Sequence, residues 1–150
     1  MTKLICVIST VICILLTACE DDSSIGVIGG ADGPTSIIVA EEGEKIMYEQ
    51  INQEEAKKIM DSGEEHIVLD VREQDEFDAG YIPGAICIPN ETIGEKEIPE
   101  LPDKDAKILI YCRSGNRSVQ ATEKLVKLGY TNLIEIGGII DYTGEISSNN

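Results

Sequence analysis

Seven consecutive residues concentrate the reactive side chains of this protein: Cys112-Arg113-Ser114-Gly115-Asn116-Arg117-Ser118. The run Lys107-Ile108-Leu109-Ile110-Tyr111 precedes them, and a helical pattern from Val119 to Leu128 follows. A buried strand therefore hands a single cysteine to a short polar loop, and a helix begins as the loop closes. In such a loop successive backbone N–H groups converge on one centre, and the helix dipole adds partial positive charge. Arg113 and Arg117 supply full charges. These surroundings favour the thiolate, which is the nucleophile of cysteine chemistry. The loop reads as an anion cradle with sulfur at its base.

The same seven residues resemble the active-site loop of rhodanese-like sulfurtransferases. Val68-Leu69-Asp70-Val71-Arg72-Glu73, then Glu76-Phe77, then Gly80-Tyr81-Ile82-Pro83-Gly84-Ala85 resemble the family's other signature, with Tyr81 where histidine is usual. Gly137-Gly138-Ile139, followed by Tyr142 and Gly144, is similar to its closing segment, with tyrosine where tryptophan is common. The resemblance covers roughly residues 45 to 145. It implies an α/β, rhodanese-like fold: a five-stranded, mainly parallel sheet with helices on both faces. It also implies chemistry without a cofactor or metal. The Cys112 thiolate attacks the outer sulfur of a donor such as thiosulfate, displaces sulfite and becomes a persulfide, which a thiol or cyanide then attacks. Backbone N–H groups of residues 113 to 117 hold the persulfide's charge. Arg113 and Arg117 grip the donor's oxyanion end, and Ser114, Gly115, Asn116 and Ser118 complete the binding loop. Asp70 and Arg72 read as structural support, pairing with each other or capping loop amides.

Two other functions compete with this one. Four residues separate Cys112 from Arg117, a compact ring suited to sulfur. Related dual-specificity phosphatases use one residue more, so a cysteine phosphatase is the lesser enzymatic alternative. The other alternative is a catalytically silent domain that only binds a membrane partner.

Composition bounds the partners. The 150 residues carry a net charge of −16, with no Trp and one Phe. Such acidity argues against nucleic acid and against electrostatic docking to anionic lipid. The core must be aliphatic, which suits buried parallel strands. One charge at Lys3, an apolar run from Leu4 to Leu16 and small residues before Cys19 describe an export signal, too short for a stable span. Leu16-Thr17-Ala18-Cys19 resembles the lipobox of bacterial lipoproteins. Residues 1–18 are thus expected to be a signal peptide and Cys19 an acylated N-terminus. The protein would then sit on the outer face of the bacterial cytoplasmic membrane. Of the five cysteines, Cys6 and Cys13 leave with the signal, so Cys87 and Cys112 remain as thiols. This is no disulfide framework.

Residues 19–44 read as a linker, with a candidate hairpin about the turn Ala31-Asp32-Gly33-Pro34. The stretch 25–39 also resembles a motif in beta subunits of sodium-pumping decarboxylases, without the transmembrane helices that ion transport needs. A tether, or a docking element for a membrane protein, is the role expected of it. The domain itself is expected over 45–146, with 147–150 a frayed tail. Strands are expected at Ile46–Ile51, His66–Val71, Ala85–Ile88, Lys107–Tyr111 and Leu133–Ile136. Helices are expected after Asn52, with Glu55 completing a capping box, at Glu73–Ala79, within Pro89–Pro102 and at Ser118–Leu128. Alternating strands and helices imply a parallel sheet whose ligands sit at the carboxyl ends of the strands, where Cys112 falls. Cys87, in an apolar run, reads as a small buried hydrophobe rather than a resolving thiol. His66, the single histidine, reads as solvated or capping, and two thiols with one histidine offer no metal site.

Overall fold

The computed structural model describes residues 35–149 apart from 42–43 and 95. The expected signal, the acylated Cys19 and the turn at Ala31–Pro34 lie outside the described residues. Six strands form one sheet in the order β1-β2-β6-β5-β3-β4. They are β1 (Thr35–Glu41), β2 (Glu44–Gln50), β3 (Ile67–Asp70), β4 (Ile86–Cys87), β5 (Ile108–Cys112) and β6 (Leu133–Gly138). The five strands from β2 to β4 run parallel, and β1 pairs antiparallel with β2 at the edge. Part of the stretch read as linker thus extends the sheet. The helices are α1 (Gln53–Asp61), α2 (Gln74–Ala79) and α3 (Asn116–Lys127), with a 3-10 turn at Ile139–Asp141.

β5 explains how one strand serves two layers. Its five residues are all buried, and successive side chains point to opposite faces. Ile108, Ile110 and Cys112 join Ala121 and Leu125 of α3 in one cluster. Leu109 and Tyr111 join Ala56 of α1, with Ile134 and Ile136, in the other. The sheet is therefore covered on both faces, and Cys112 lies on the α3 side. Asn52 caps α1 as its spacing predicts: its Oδ1 accepts from the Glu55 N–H at 2.9 Å, and the Glu55 carboxylate accepts from the Asn52 N–H at 3.2 Å.

Two expectations change. Among the described residues of Pro89–Pro102 no helix forms, and the stretch runs as turns and bends. Pro99 and Pro102 lack N–H groups that a helix would use, and Ile93, Ile98 and Leu101 instead sink singly into the α3-side core. Nor do Ser147 and Asn149 fray. Ser147 and Tyr81 exchange backbone hydrogen bonds at 2.8 and 2.9 Å, and Asn149 donates from its backbone and its side chain to Asp78. The Tyr81 ring in turn stacks on Phe77 of α2, with centroids 4.2 Å apart.

Candidate active site

Cys112 is the last residue of β5, buried where strand gives way to loop. The Gly115 N–H donates to its Sγ at 3.1 Å. That contact needs the chain to double back within three residues. Gly115 manages it with φ +101°, a left-handed conformation that costs glycine little and other residues much. α3 starts at the next residue, so its N-terminal dipole faces the sulfur.

The Gly137–Gly138 bend at the end of β6 backs the loop. A Cβ on Gly138 would fall on the Arg113 carbonyl oxygen and lie 2.7 Å from Ser114 Cα. Glycine at 138 therefore permits the close approach of two backbones. The Arg113 carbonyl accepts from the Ile140 N–H at 3.2 Å, which ties the loop to the 3-10 turn. Arg113, Ser114 and Asn116 have exposed side chains at the loop's rim.

Arg117 and Ser118 are turned away from the rim. Arg117 forms a two-pronged bond with Glu76 of α2, Nη1 to Oε2 at 2.7 Å and Nη2 to Oε1 at 3.0 Å. The Glu76 bond raises the Arg117 pKa, and the same bond holds the Glu76 carboxyl below its ordinary value. Ser118 Oγ reaches the Gly115 carbonyl at 2.7 Å and the carboxylate of Glu135 behind it. Glu76 entered the sequence reading only as part of a signature, with no partner assigned, and Glu135 did not enter it. Glu135 had a signal, since a lone carboxylate inside the run Leu133–Ile136 of a buried strand demands a partner.

Asp70 and Arg72 pair with each other. Arg72 Nη2 lies 2.6 Å from Asp70 Oδ2 and also donates to the Gly80 carbonyl at 2.7 Å. Tyr111 sits beneath them: its hydroxyl accepts from the Ile82 N–H at 3.2 Å, and burial, then the Asp70 charge, raise its pKa. The pair thus welds β3 to the turn after α2. Cys87 is aligned with Asp70 across β3 and β4, while Tyr111 is aligned with Asp70 across β3 and β5. Two strand spacings, about 10 Å, therefore separate Cys87 from the Cys112 strand, beyond the reach of a disulfide. Burial, then Asp70, push the Cys87 thiol up to about 11. His66 Nδ1 lies 2.6 Å from the Glu64 carbonyl, a local contact at the start of β3.

Comparison with known proteins identifies the family. Thiosulfate sulfurtransferase PspE of Escherichia coli is 36% identical over 73 residues, 49% of this chain and 70% of its own. A sulfurtransferase of Allochromatium vinosum is 36% identical over 95 residues, 63% of this chain and 87% of its own. YrkF of Bacillus subtilis is 38% identical over 97 residues, but the match spans only about half of its length, 51%. A solved rhodanese with anions from E. coli superposes with a TM-score of 0.51 at 31% identity, over 55% of this chain and 98% of that one. The family model for the rhodanese-like domain matches residues 52–143, from the cap of α1 to just past the 3-10 turn, so this chain belongs to the rhodanese-like domain family.

Proposed function

We propose that the protein is a sulfurtransferase that moves sulfane sulfur from thiosulfate or a similar donor to a thiol or cyanide through a persulfide on Cys112. The observation that carries this reading is the Gly115 N–H aimed at Cys112 Sγ at 3.1 Å, at the start of α3. The Cys112 thiolate attacks the donor's outer sulfur. A new S–S bond forms as the donor's S–S bond breaks, and sulfite leaves with the electron pair. The terminal sulfur then carries the negative charge within the loop's amides. An acceptor thiolate, or cyanide, attacks that sulfur and releases the Cys112 thiolate unchanged. Arg113, exposed at the rim, meets the donor's oxyanion end. Arg117, held by Glu76, supplies field beside it. The thiosulfate sulfurtransferase PspE among the relatives supports this chemistry.

Intact mass after thiosulfate treatment tests the proposal. The wild type should gain one sulfur atom, lost again on adding thiol, and Cys112→Ser should gain none. A wild type that gains no sulfur, yet still binds a membrane partner, would favour the silent domain.

For location, the proposal rests on the Leu16-Thr17-Ala18-Cys19 sequence: acylation of Cys19 tethers the domain to the outer face of the cytoplasmic membrane. Fatty-acid labelling should mark the wild type and spare Cys19→Ala. Equal labelling of the two would remove the anchor from this account.

A further inference from the structure

Glu135 lies inside the apolar run of β6, fully shielded from solvent. Burying a carboxyl group is costly unless its oxygens are bonded. Here three neutral donors meet it. Oε1 receives the Ser118 hydroxyl and the Gly137 N–H at 2.9 Å, and Oε2 receives the Gln50 amide at 2.7 Å. An apolar residue, like its neighbours Ile134 and Ile136, would suit the strand better.

Two of the three donors belong to the walls of the Cys112 site. Ser118 Oγ also contacts the carbonyl of Gly115, the residue whose N–H points at Sγ. Gly137 precedes Gly138, whose backbone presses on Arg113 and Ser114. One carboxylate oxygen therefore joins the helix-side end of the loop to the bend that backs it. Ser118 Oγ has one hydroxyl hydrogen and lies within hydrogen-bond distance of two oxygens, so the Glu135 carboxyl group, the serine and the Gly115 carbonyl form one connected unit.

We infer that Glu135 is a positioning residue for Cys112: through Ser118 and Gly137 it sets the Gly115 N–H on Sγ. Without it Ser118 loses a partner, and the Gly137 N–H loses the acceptor seen here, a loss that buried groups tolerate poorly. The inference rests on the proposed function only for its effect on turnover. The loop's grip on sulfur can be read without any transfer.

The test uses the full chain with three variants, Glu135→Gln, Glu135→Leu and Ser118→Ala. Iodoacetamide rates are read at the Cys112 peptide, beside kcat and KM for sulfur transfer. Glu135→Leu should slow alkylation about tenfold or more and lower kcat with little change in KM, because a misaimed donor costs the reacting atom and not donor binding. Glu135→Gln keeps an oxygen for Ser118 and Gly137, and the Gln50 amide can rotate to match. It should restore both rates to within about threefold. Ser118→Ala removes the hydroxyl that contacts both Glu135 and the Gly115 carbonyl, and it tests the connection if Glu135→Leu does not fold; it should slow alkylation about threefold or more. Wild-type alkylation in a folded Glu135→Leu, or in Ser118→Ala, would overturn the inference, as would equal losses in Gln and Leu. A wild type without sulfur transfer would instead sink the proposed function, leaving alkylation to judge Glu135.

Discussion

Arg117 and Glu76 meet fork to fork, two nitrogens against two oxygens at 2.7 and 3.0 Å, across 41 residues of sequence. The bond fastens the first turn of α3 to α2. It keeps a guanidinium beside the Cys112 loop without leaving both prongs for a ligand. Side chains of both partners are 28% exposed, so the pair is more than a surface contact and less than a core one.

Arg117→Ala should therefore weaken thiosulfate use by removing positive field, while the backbone cradle and the α3 dipole remain. A loss of about 1 kcal/mol in transition-state binding, as for a partly screened charge, means about fivefold in kcat/KM. Alkylation of Cys112 should slow only moderately. Steady-state kinetics with thiosulfate check this, and unchanged kinetics would leave Arg113 and the backbone as the whole binding site.

The same bond makes a pH prediction. Glu76 titrates below its ordinary value of 4.5, because Arg117 hydrogen-bonds its charged form. A depressed carboxyl contributes stability that is complete above the unfolded value and vanishes as pH falls through the folded one. The melting temperature of the wild type should exceed that of Glu76→Gln at neutral pH, and the gap should close on acidification below 4.5. A gap that stays constant into acid would show that the charge on Glu76 does not stabilise the fold.

The two thiols should behave oppositely. With its pKa near 11, Cys87 is thiolate in only about one molecule in ten thousand at pH 7. Iodoacetamide at neutral pH should mark the Cys112 peptide and leave the Cys87 peptide unmodified. Cys87→Ala should keep most of the turnover. Comparable labelling of both, or total loss of turnover in Cys87→Ala, would bring Cys87 into the chemistry.

Gly138→Ala should damage the site more than the fold. Its Cβ has no room against the Arg113 carbonyl and Ser114 Cα, so the loop must shift, at a cost of about 1–3 kcal/mol in stability. Sulfur transfer should fall about tenfold or more. Gly94→Ala, with nothing within 4 Å of the new methyl group, is the matched control. Equal activity in the two would remove the Gly137–Gly138 bend from the account of the loop.

What the sequence determined by itself is the local chemistry and its order along the chain. Five apolar residues ending in Cys112, a glycine three residues on and a helical pattern beyond it dictate strand, loop and helix, because each depends on near neighbours. The Asn52–Glu55 capping box was legible for the same reason, its partners lying three residues apart. Pro89–Pro102 was misread, because its apolar residues answer to a core assembled from distant strands and not to a helical period. Tertiary structure alone decided where Arg117 and Ser118 point. Glu76 lies 41 residues from Arg117 and Glu135 lies 17 from Ser118. No local spacing announces either pair, since parallel strands and crossover helices bring together side chains whose separation along the chain carries no period.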